Sequence, residues 1–333
     1  MPLVFRLASF NLENLDTRPE RTGGAPLDER LKILRPQIER LNTDILCLQE
    51  VNAEEVSKHG ERQAKALTQL IAGTQYESFH QIISRNRLGQ RLADRHNLAI
   101  LSRFPILDWR QVWHHLMPPP HHYAPNDPAT PVSLDWDRPL MQARLDIGNG
   151  RVLHLLNLHL KAPRAAFVPG AKANPERWVS VPGWAEGFHM AGIKRTGQAL
   201  EARLVVDQLM DADPDALIAV TGDFNAQDNE TPLRILRAEA DDTGNAHLAA
   251  RSLISLERAL PESHRFSVIH HGRPAMLDHL LVSRPLLGWA KDIAVHNEAL
   301  GDEAVSPALI PATGESYHAP LVATFQEPPK AKA

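Results

Sequence analysis

The 333-residue chain contains one cysteine, Cys47, which excludes an internal disulfide and any thiolate-built metal cluster. Its setting, Asp44-Ile45-Leu46-Cys47-Leu48, suits a small buried hydrophobe better than a nucleophile. Positive charge is not in excess either: 36 Lys and Arg face 40 Asp and Glu, a formal net charge of −4. That balance argues against a general nucleic-acid coat or a polybasic membrane surface, while leaving room for local basic patches. No apolar run reaches the roughly 18 residues of a membrane helix. The opening Met1-Pro2-Leu3-Val4-Phe5-Arg6 lacks the basic and long apolar segments of a signal peptide. A cytoplasmic protein is expected, with no transmembrane segment and no obligate protein partner. The 17 histidines include no closely spaced trio of the zinc-binding kind, so only a histidine at a strand end merits a chemical role.

What the chain does contain is a repeated event. Ala216-Leu217-Ile218-Ala219-Val220-Thr221-Gly222-Asp223-Phe224-Asn225 reads as a buried strand ending in a carboxylate and an amide. Two residues apart on extended backbone, Asp223 and Asn225 face the same side and can share one task. Alone, such a triplet is more often a satisfied turn. Here apolar strands end in polar groups again and again: at Asn11 and Asn14, at Glu50, at Asn157 and His159, at Asp278 and His279, and near His318. Carboxylate oxygens from Glu50 and one or more aspartates make a hard site suited to Mg²⁺ or Mn²⁺. Neutral amides could hold water or phosphate oxygens without cancelling the metal's charge.

Strands are expected at Leu3–Phe10, Ile45–Leu48, Asn97–Leu101, Leu140–Ile147, Arg151–Leu158, Phe266–Ile269, Leu277–Val282 and Leu321–Phe325, with a hairpin turn at Gly148-Asn149-Gly150. Helical stripes run over Leu27–Leu41, where Pro36 predicts a kink or a split, and over Glu61–Ala72 and Thr196–Met210. Shorter helical pieces are expected at Thr231–Leu236 and Leu253–Leu260. Residues 112–138 and 162–192 read as long irregular insertions, and 326–333 as a flexible tail. The polar strand ends are spread from Asn11 to His318, so neither half of the chain would hold a whole site. One domain over 1–325, built of two sheets with outer helices, is the expectation.

Seven segments carry a resemblance: Phe10-Asn11-Leu12-Glu13-Asn14, Leu48-Gln49-Glu50-Val51, Leu98-Ala99-Ile100-Leu101-Ser102-Arg103-Phe104-Pro105, Asn157-Leu158-His159-Leu160-Lys161, Gly222-Asp223-Phe224-Asn225, Leu277-Asp278-His279 and Ser316-Tyr317-His318-Ala319-Pro320. In this order they resemble the motifs of the endonuclease/exonuclease/phosphatase superfamily, the deoxyribonuclease I-like fold. The resemblance implies an α/β protein, a four-layer α/β/β/α sandwich of two mixed sheets flanked by helices. It also implies metal-dependent attack of water on a phosphoester. Glu50 would be the principal Mg²⁺ ligand, with Asn11 beside it and Asp223 a further ligand or base. Asp223 and Asn225 would orient the water and the phosphate, and His159 would contact the phosphate. His318, oriented by Asp278, would be the second imidazole, as a base or as an electrostatic clamp. Asn14, Arg103, Arg138, Lys161 and Arg195 are candidate phosphate contacts or supports, and His279 is expected to face away from the chemistry.

One position departs from the pattern. The family commonly has Asp before the last histidine, where this chain has Tyr317, a poor hard-metal ligand at neutral pH. The substitution favours one principal Mg²⁺ over a tightly held pair. The expected function is divalent-metal-dependent phosphodiester hydrolysis, with DNA or RNA as the leading substrate. The alternatives are a phosphatase or phosphodiesterase acting on a small-molecule or lipid-headgroup phosphoester, and a noncatalytic binding protein that retains the fold.

Overall fold

The computed structural model describes residues 2–18, 24–56, 60–124, 127–174, 177–303 and 314–329. Two six-stranded sheets form its centre. The first runs, edge to edge, Ala290–Val295, Leu321–Gln326, Val4–Leu15, Ile45–Val51, Asn97–Ser102, His80–Ile83. The second runs Ile254–Ser255, Asp278–Val282, Leu217–Asp223, Arg151–His159, Leu140–Gly148, Ile106–Val112. Each sheet has one parallel pair at its centre, Val4–Leu15 with Ile45–Val51 and Arg151–His159 with Leu217–Asp223. The remaining pairs are antiparallel, so both sheets are mixed.

Alternation along the strands sorts the apolar residues into three cores. Phe5, Leu7, Ile45, Cys47 and Ile100 meet Met141, Leu145, Leu155, Ala219 and Leu280 between the sheets. The opposite faces carry Ala8, Phe10, Leu46 and Leu48 against helices Leu27–Leu41 and Lys65–Ile71, and Leu156, Leu158, Ile218 and Val220 against helices Val181–Ala212 and Thr231–Arg237. The result is the α/β/β/α sandwich. Central strands buried on both faces are continuous apolar runs, as Leu217–Val220 is, because each side chain enters one core or the other. Cys47 lies in the inter-sheet core, where burial pushes its thiol up and away from reactivity.

Several expectations shift. Leu27–Leu41 is one helix through Pro36; Pro36 and Lys32 are both exposed, so the missing hydrogen bond lies on the solvated side. The helix expected from Thr196 starts at Val181, with Ser180 as its cap, so much of the supposed irregular stretch 162–192 is helical. Gly183, Gly187 and Gly192 hid this in the sequence. Packing explains Gly187, since a Cβ there would lie 2.4 Å from the Ala166 carbonyl oxygen. The described residues of 162–180 then fold over the helix around a small core of Ala166, Val168 and Met190, which Trp178 joins.

Residues 112–138, expected as a long ordered loop, hold more regular structure among the described residues. They contain a hairpin, His121–Ala124 with Asp127–Ser133. Buried Glu201 secures the base of this segment by accepting from Trp136 Nε1 (2.6 Å) and from the backbone amides of His114 and Leu116. Elsewhere, the helix expected over Glu61–Ala72 is confined to Lys65–Ile71. Leu253–Leu260 holds a two-residue strand and a 3₁₀ turn rather than a helix. The edge strands His80–Ile83, Ile106–Val112 and Ala290–Val295 escaped notice because their outer faces are polar and their alternation is weak. The tail expected from 326 begins later: Gln326 closes the last strand, and buried Glu327 accepts from Asn149 and Arg151. Residues 330–333 lie outside the described residues. Among the described residues, no helix is long and apolar enough to cross a membrane.

Candidate active site

The central strands bring their polar ends to one edge of the sandwich. Asn11 pairs with Gln49 in the first sheet. In the second, His159 pairs with Asp223, and Asp223 with Asp278. Gly222 makes this crowding feasible. Its φ is +137°, and a Cβ there would lie 2.0 Å from the Leu158 carbonyl oxygen, so only glycine lets the two parallel strands close up immediately before Asp223. Glu13, Asn14, Glu50 and Asn225 also have positive φ, as the strands turn abruptly at the cleft. Arg30, 6% exposed, holds the first of these turns by donating to the carbonyls of Leu12, Glu13 and Asn14.

Asp223 lies at the meeting point of these groups. It accepts from Asn11 Nδ2 at 3.0 Å and from the Asn225 backbone and side-chain amides at 2.8 and 3.2 Å. His159 Nε2 is 3.4 Å from Asp223 and 3.7 Å from Glu50. Glu50 in turn accepts from the Asn14 backbone at 2.9 Å and lies 3.5 Å from Asn11 Nδ2. On the other side, His318 Nδ1 is 2.8 Å from Asp278 Oδ2. The seven residues Asn11, Glu50, His159, Asp223, Asn225, Asp278 and His318 thus line one cleft.

The charge distribution there is uneven. Burial pushes the Asp223 carboxyl up to about 7, helped by the nearby charges of Asp278 and Glu50 and opposed by His318 and the Asn225 amide. Burial would lower His318, but the charge and hydrogen bond of Asp278, with Asp223 and Glu50 beyond, raise it to about 10. Burial holds His159 well below the usual imidazole value, and the cations Arg138 and Lys161 reinforce this. Glu50 resists its burial because His96, Arg138 and His318 surround it, and stays below the usual carboxylate range. Burial, with two other carboxylates nearby, disfavours the ionised form of Asp223, and a nearby cation would favour it. The oxygen-rich donor set fits a hard divalent cation. Ligand atoms of Asp223, Asp278 and His318 lie within 4.8 Å of one another, and Asp278 Oδ1 is buried without a hydrogen-bond partner. Glu50 and Asn11 flank the same Asp223 carboxylate from the other sheet.

The candidate phosphate contacts separate. Arg138 is buried against His96 and His159, and Asn14 sits on Glu50. Lys161 is held at 2.8 Å by Asp137, which Lys194 also binds. Arg195 donates to the Lys161 carbonyl and lines a groove with Trp184, Phe188, Asn229 and Glu230. Arg103 is brought nowhere near the cleft: it pairs with Asp44, which precedes the strand whose far end carries Glu50. Those residues are some 20 Å apart along extended backbone. Tyr317 contributes its backbone amide to Glu13 at 2.7 Å, and its ring lies beside Gly301. His279 faces away as expected, buried between Glu257 and the Ala226 carbonyl.

His96 was missed by sequence reasoning. It touches Asn14 at 2.9 Å and Arg138 at 3.3 Å, and its only sequence signal is its place directly before the Asn97–Ser102 strand.

Solved structures share the fold at low identity. A truncated TDP2 from Caenorhabditis elegans is 17% identical, with 97% of each chain covered and a TM-score of 0.55. A mannosyl-6-phosphatase from Bacteroides thetaiotaomicron is 16% identical, covering 96% of this chain and 98% of that one, with a TM-score of 0.56. An AP endonuclease from Archaeoglobus fulgidus is 16% identical, covering 96% and 99%, with a TM-score of 0.51. No curated protein matches the chain. The model of the Endonuclease/Exonuclease/phosphatase family matches residues 8–292, which take in the strand ends from Asn11 to Asp278, and the chain belongs to that family.

Proposed function

We propose that this chain is a Mg²⁺-dependent phosphodiester hydrolase, with Mn²⁺ an effective substitute, and that its substrate is a nucleic-acid strand or end. The supporting observation is the convergence of three carboxylates, Glu50, Asp223 and Asp278, with two imidazoles of opposite protonation bias, His159 and His318. A bound divalent cation would supply positive charge to the phosphoryl oxygens. Glu50 would hold it, with Asn11 and Asp223 at its sides. Asp223 would take the proton of the attacking water. Asn225, whose Nδ2 is committed to Leu160 and Asp223, would accept from that water through Oδ1. His318, held through Nδ1 by Asp278, whose charge raises the imidazole against its burial, would keep both ring protons and act as a cationic clamp on the phosphoryl oxygens.

The nucleic-acid assignment draws on the groove beside Arg195. Trp184 and Phe188 stack there with ring centroids 5.4 Å apart and remain 44% and 43% exposed, a shelf on which a base could lie. Trp184→Ala combined with Phe188→Ala is expected to raise KM for a single-stranded oligonucleotide about tenfold while leaving KM for bis(p-nitrophenyl) phosphate unchanged. An equal change for both substrates contradicts the shelf. The second reading, a small phosphoester, is favoured by the pairing of Lys161 and Lys194 on one carboxylate, Asp137, which removes two cations from any basic track.

The deciding experiment is a divalent-metal-dependent screen over single-stranded DNA, duplex DNA, RNA, phospholipid and sugar phosphates, with Asp223→Ala as control. Turnover that Asp223→Ala abolishes excludes a binding-only protein. Calorimetry supplies a separate check on the cation: Glu50→Gln should weaken Mn²⁺ binding at least about 100-fold, and unchanged affinity removes Glu50 as a ligand.

A further inference from the structure

Arg138 lies two residues before the Leu140–Gly148 strand and is 7% exposed, so its guanidinium is a cation inside the protein. Its Nη1 lies 3.0 Å from His159 Nδ1 and 3.3 Å from His96 Nδ1. A guanidinium has five N–H donors and no acceptor. Both ring nitrogens facing it must therefore present lone pairs, and a neutral imidazole with its lone pair on Nδ1 carries its proton on Nε2.

The consequence passes outward by hydrogen-bond polarity. His159 Nε2–H is aimed at the Asp223 and Glu50 carboxylates, 3.4 and 3.7 Å away. His96 Nε2–H donates to Asn14 Oδ1 at 2.9 Å. That bond fixes the amide with its oxygen toward the ring, so its NH₂ group is turned the other way, and the Asn14 backbone meanwhile holds Glu50. His96 is the solvent-facing ring, with 36% of its side chain exposed against 2% for His159. Both His96 (φ +58°) and Asn14 (φ +54°) occupy the left-handed region. Each is held there, His96 by donation of its amide to Asn52 Oδ1 and Asn14 by Arg30 on its carbonyl. Strained residues held in place at the mouth of a cleft point to a placed function.

We propose that Arg138 is a positioning residue that fixes His96 and His159 as Nε2–H tautomers, and that the His96–Asn14 pair so oriented is a second donor site, at the cleft mouth, for an anionic oxygen of the substrate. The donor-site half rests on the phosphoesterase reading; the tautomer half does not. A cation at His96 or His159 would stand against the guanidinium, so both rings stay neutral, and with His96 Nε2–H given to Asn14 Oδ1 the donor the site offers is the Asn14 NH₂. That amide binds a phosphate oxygen without drawing charge away from Glu50.

The test is two-part. Long-range ¹H–¹⁵N correlation spectra of histidine-labelled, metal-free protein near neutral pH, assigned with His96→Gln and His159→Gln, report each tautomer directly. Both rings are expected as Nε2–H; Arg138→Lys keeps that state because lysine also only donates, and Arg138→Met gives tautomer mixtures. An Nδ1–H ring in the wild type overturns the positioning role, and so does an unchanged spectrum in Arg138→Met. If Arg138→Met does not fold, the wild-type and Arg138→Lys spectra decide. Binding of inorganic phosphate to the Mg²⁺-supplemented protein, measured by calorimetry, is expected to weaken about tenfold in His96→Gln and in Asn14→Ala. Unchanged affinity, or no phosphate binding by the wild type, overturns the donor site. Absence of turnover on every phosphoester would count against the hydrolase reading alone, because the spectra need no substrate.

Discussion

Asp223→Asn is expected to lower kcat on any phosphoester the protein turns over by about 10⁴-fold. The replacement is nearly isosteric, but the role is not conserved. All the protein groups that reach Asp223 by hydrogen bond, Asn11 Nδ2 and the two Asn225 amides, are donors. An amide in its place would set an NH₂ against one of them and would supply neither the negative charge nor the base. A steady-state assay checks this, and retention of more than about a tenth of wild-type kcat would remove Asp223 from the chemistry.

The same substitution should change how the stability of the metal-free protein depends on pH. A carboxyl whose folded value is raised to about 7 binds more protons when folded than when unfolded. Stability contributed by that group therefore falls as pH climbs from the ordinary aspartate value toward 7. Asp223→Asn lacks that loss, so in chelator its Tm should gain on that of the wild type as pH rises through this window. Saturating Mg²⁺ should narrow the gap, because a cation that binds only the folded state stabilises the ionised carboxylate. Scanning calorimetry across pH resolves both effects.

Gly222→Ala carries the largest expected stability effect, a loss of more than about 4 kcal/mol. Two faults coincide there. The backbone sits at φ +137°, and the added carbon would lie 2.0 Å from the Leu158 carbonyl oxygen, with the Leu158 carbonyl carbon and amide nitrogen both under 3 Å. Those are backbone atoms of the adjacent central strand, so no rotamer change relieves the clash, and relief requires the Arg151–His159 and Leu217–Asp223 strands to part. Urea denaturation should show a much lower midpoint or no cooperative transition. A variant within about 1 kcal/mol of the wild type would mean that the strand pairing beneath Asp223 is far more compliant than a packed sheet.

Two sheets with outer helices could be read from the strand pattern because the central strands are two-sided, and the resemblance supplied the four-layer sandwich. Continuous apolar runs such as Leu217–Val220, each ending in polar residues, need no partner to be recognised. Asn11, Glu50, His159, Asp223 and Asn225 stood out because each interrupts, closes or directly follows such a run, whereas Asp278 opens its strand and His318, ahead of Leu321–Gln326, was carried by the motif resemblance. Residues placed by tertiary turns did not stand out. His96 has no apolar run leading into it, and its importance comes from Arg138 and Asn14, 42 and 82 positions away in the chain. Arg103 shows the opposite error. It lies at the end of an apolar strand, but that strand runs antiparallel to Ile45–Val51, so its end falls at the wrong edge of the sandwich. Sequence reveals that a strand ends, whereas direction within the sheet decides where. The helix from Val181 was obscured by glycines of which Gly183 and Gly187 answer to close contacts with Ala171 and Ala166.

The pairing of Val4 with Gln326 has a consequence for biosynthesis. Val4–Leu15 leaves the ribosome long before its partner Leu321–Gln326, so this edge of the strand stays bare until that partner emerges, ready to pair with a neighbouring nascent chain. The second sheet, whose strands all lie between Ile106 and Val282, can be completed long before. Hydrolytic competence would arrive abruptly, when Leu321–Gln326 docks and carries His318 to the waiting Asp278.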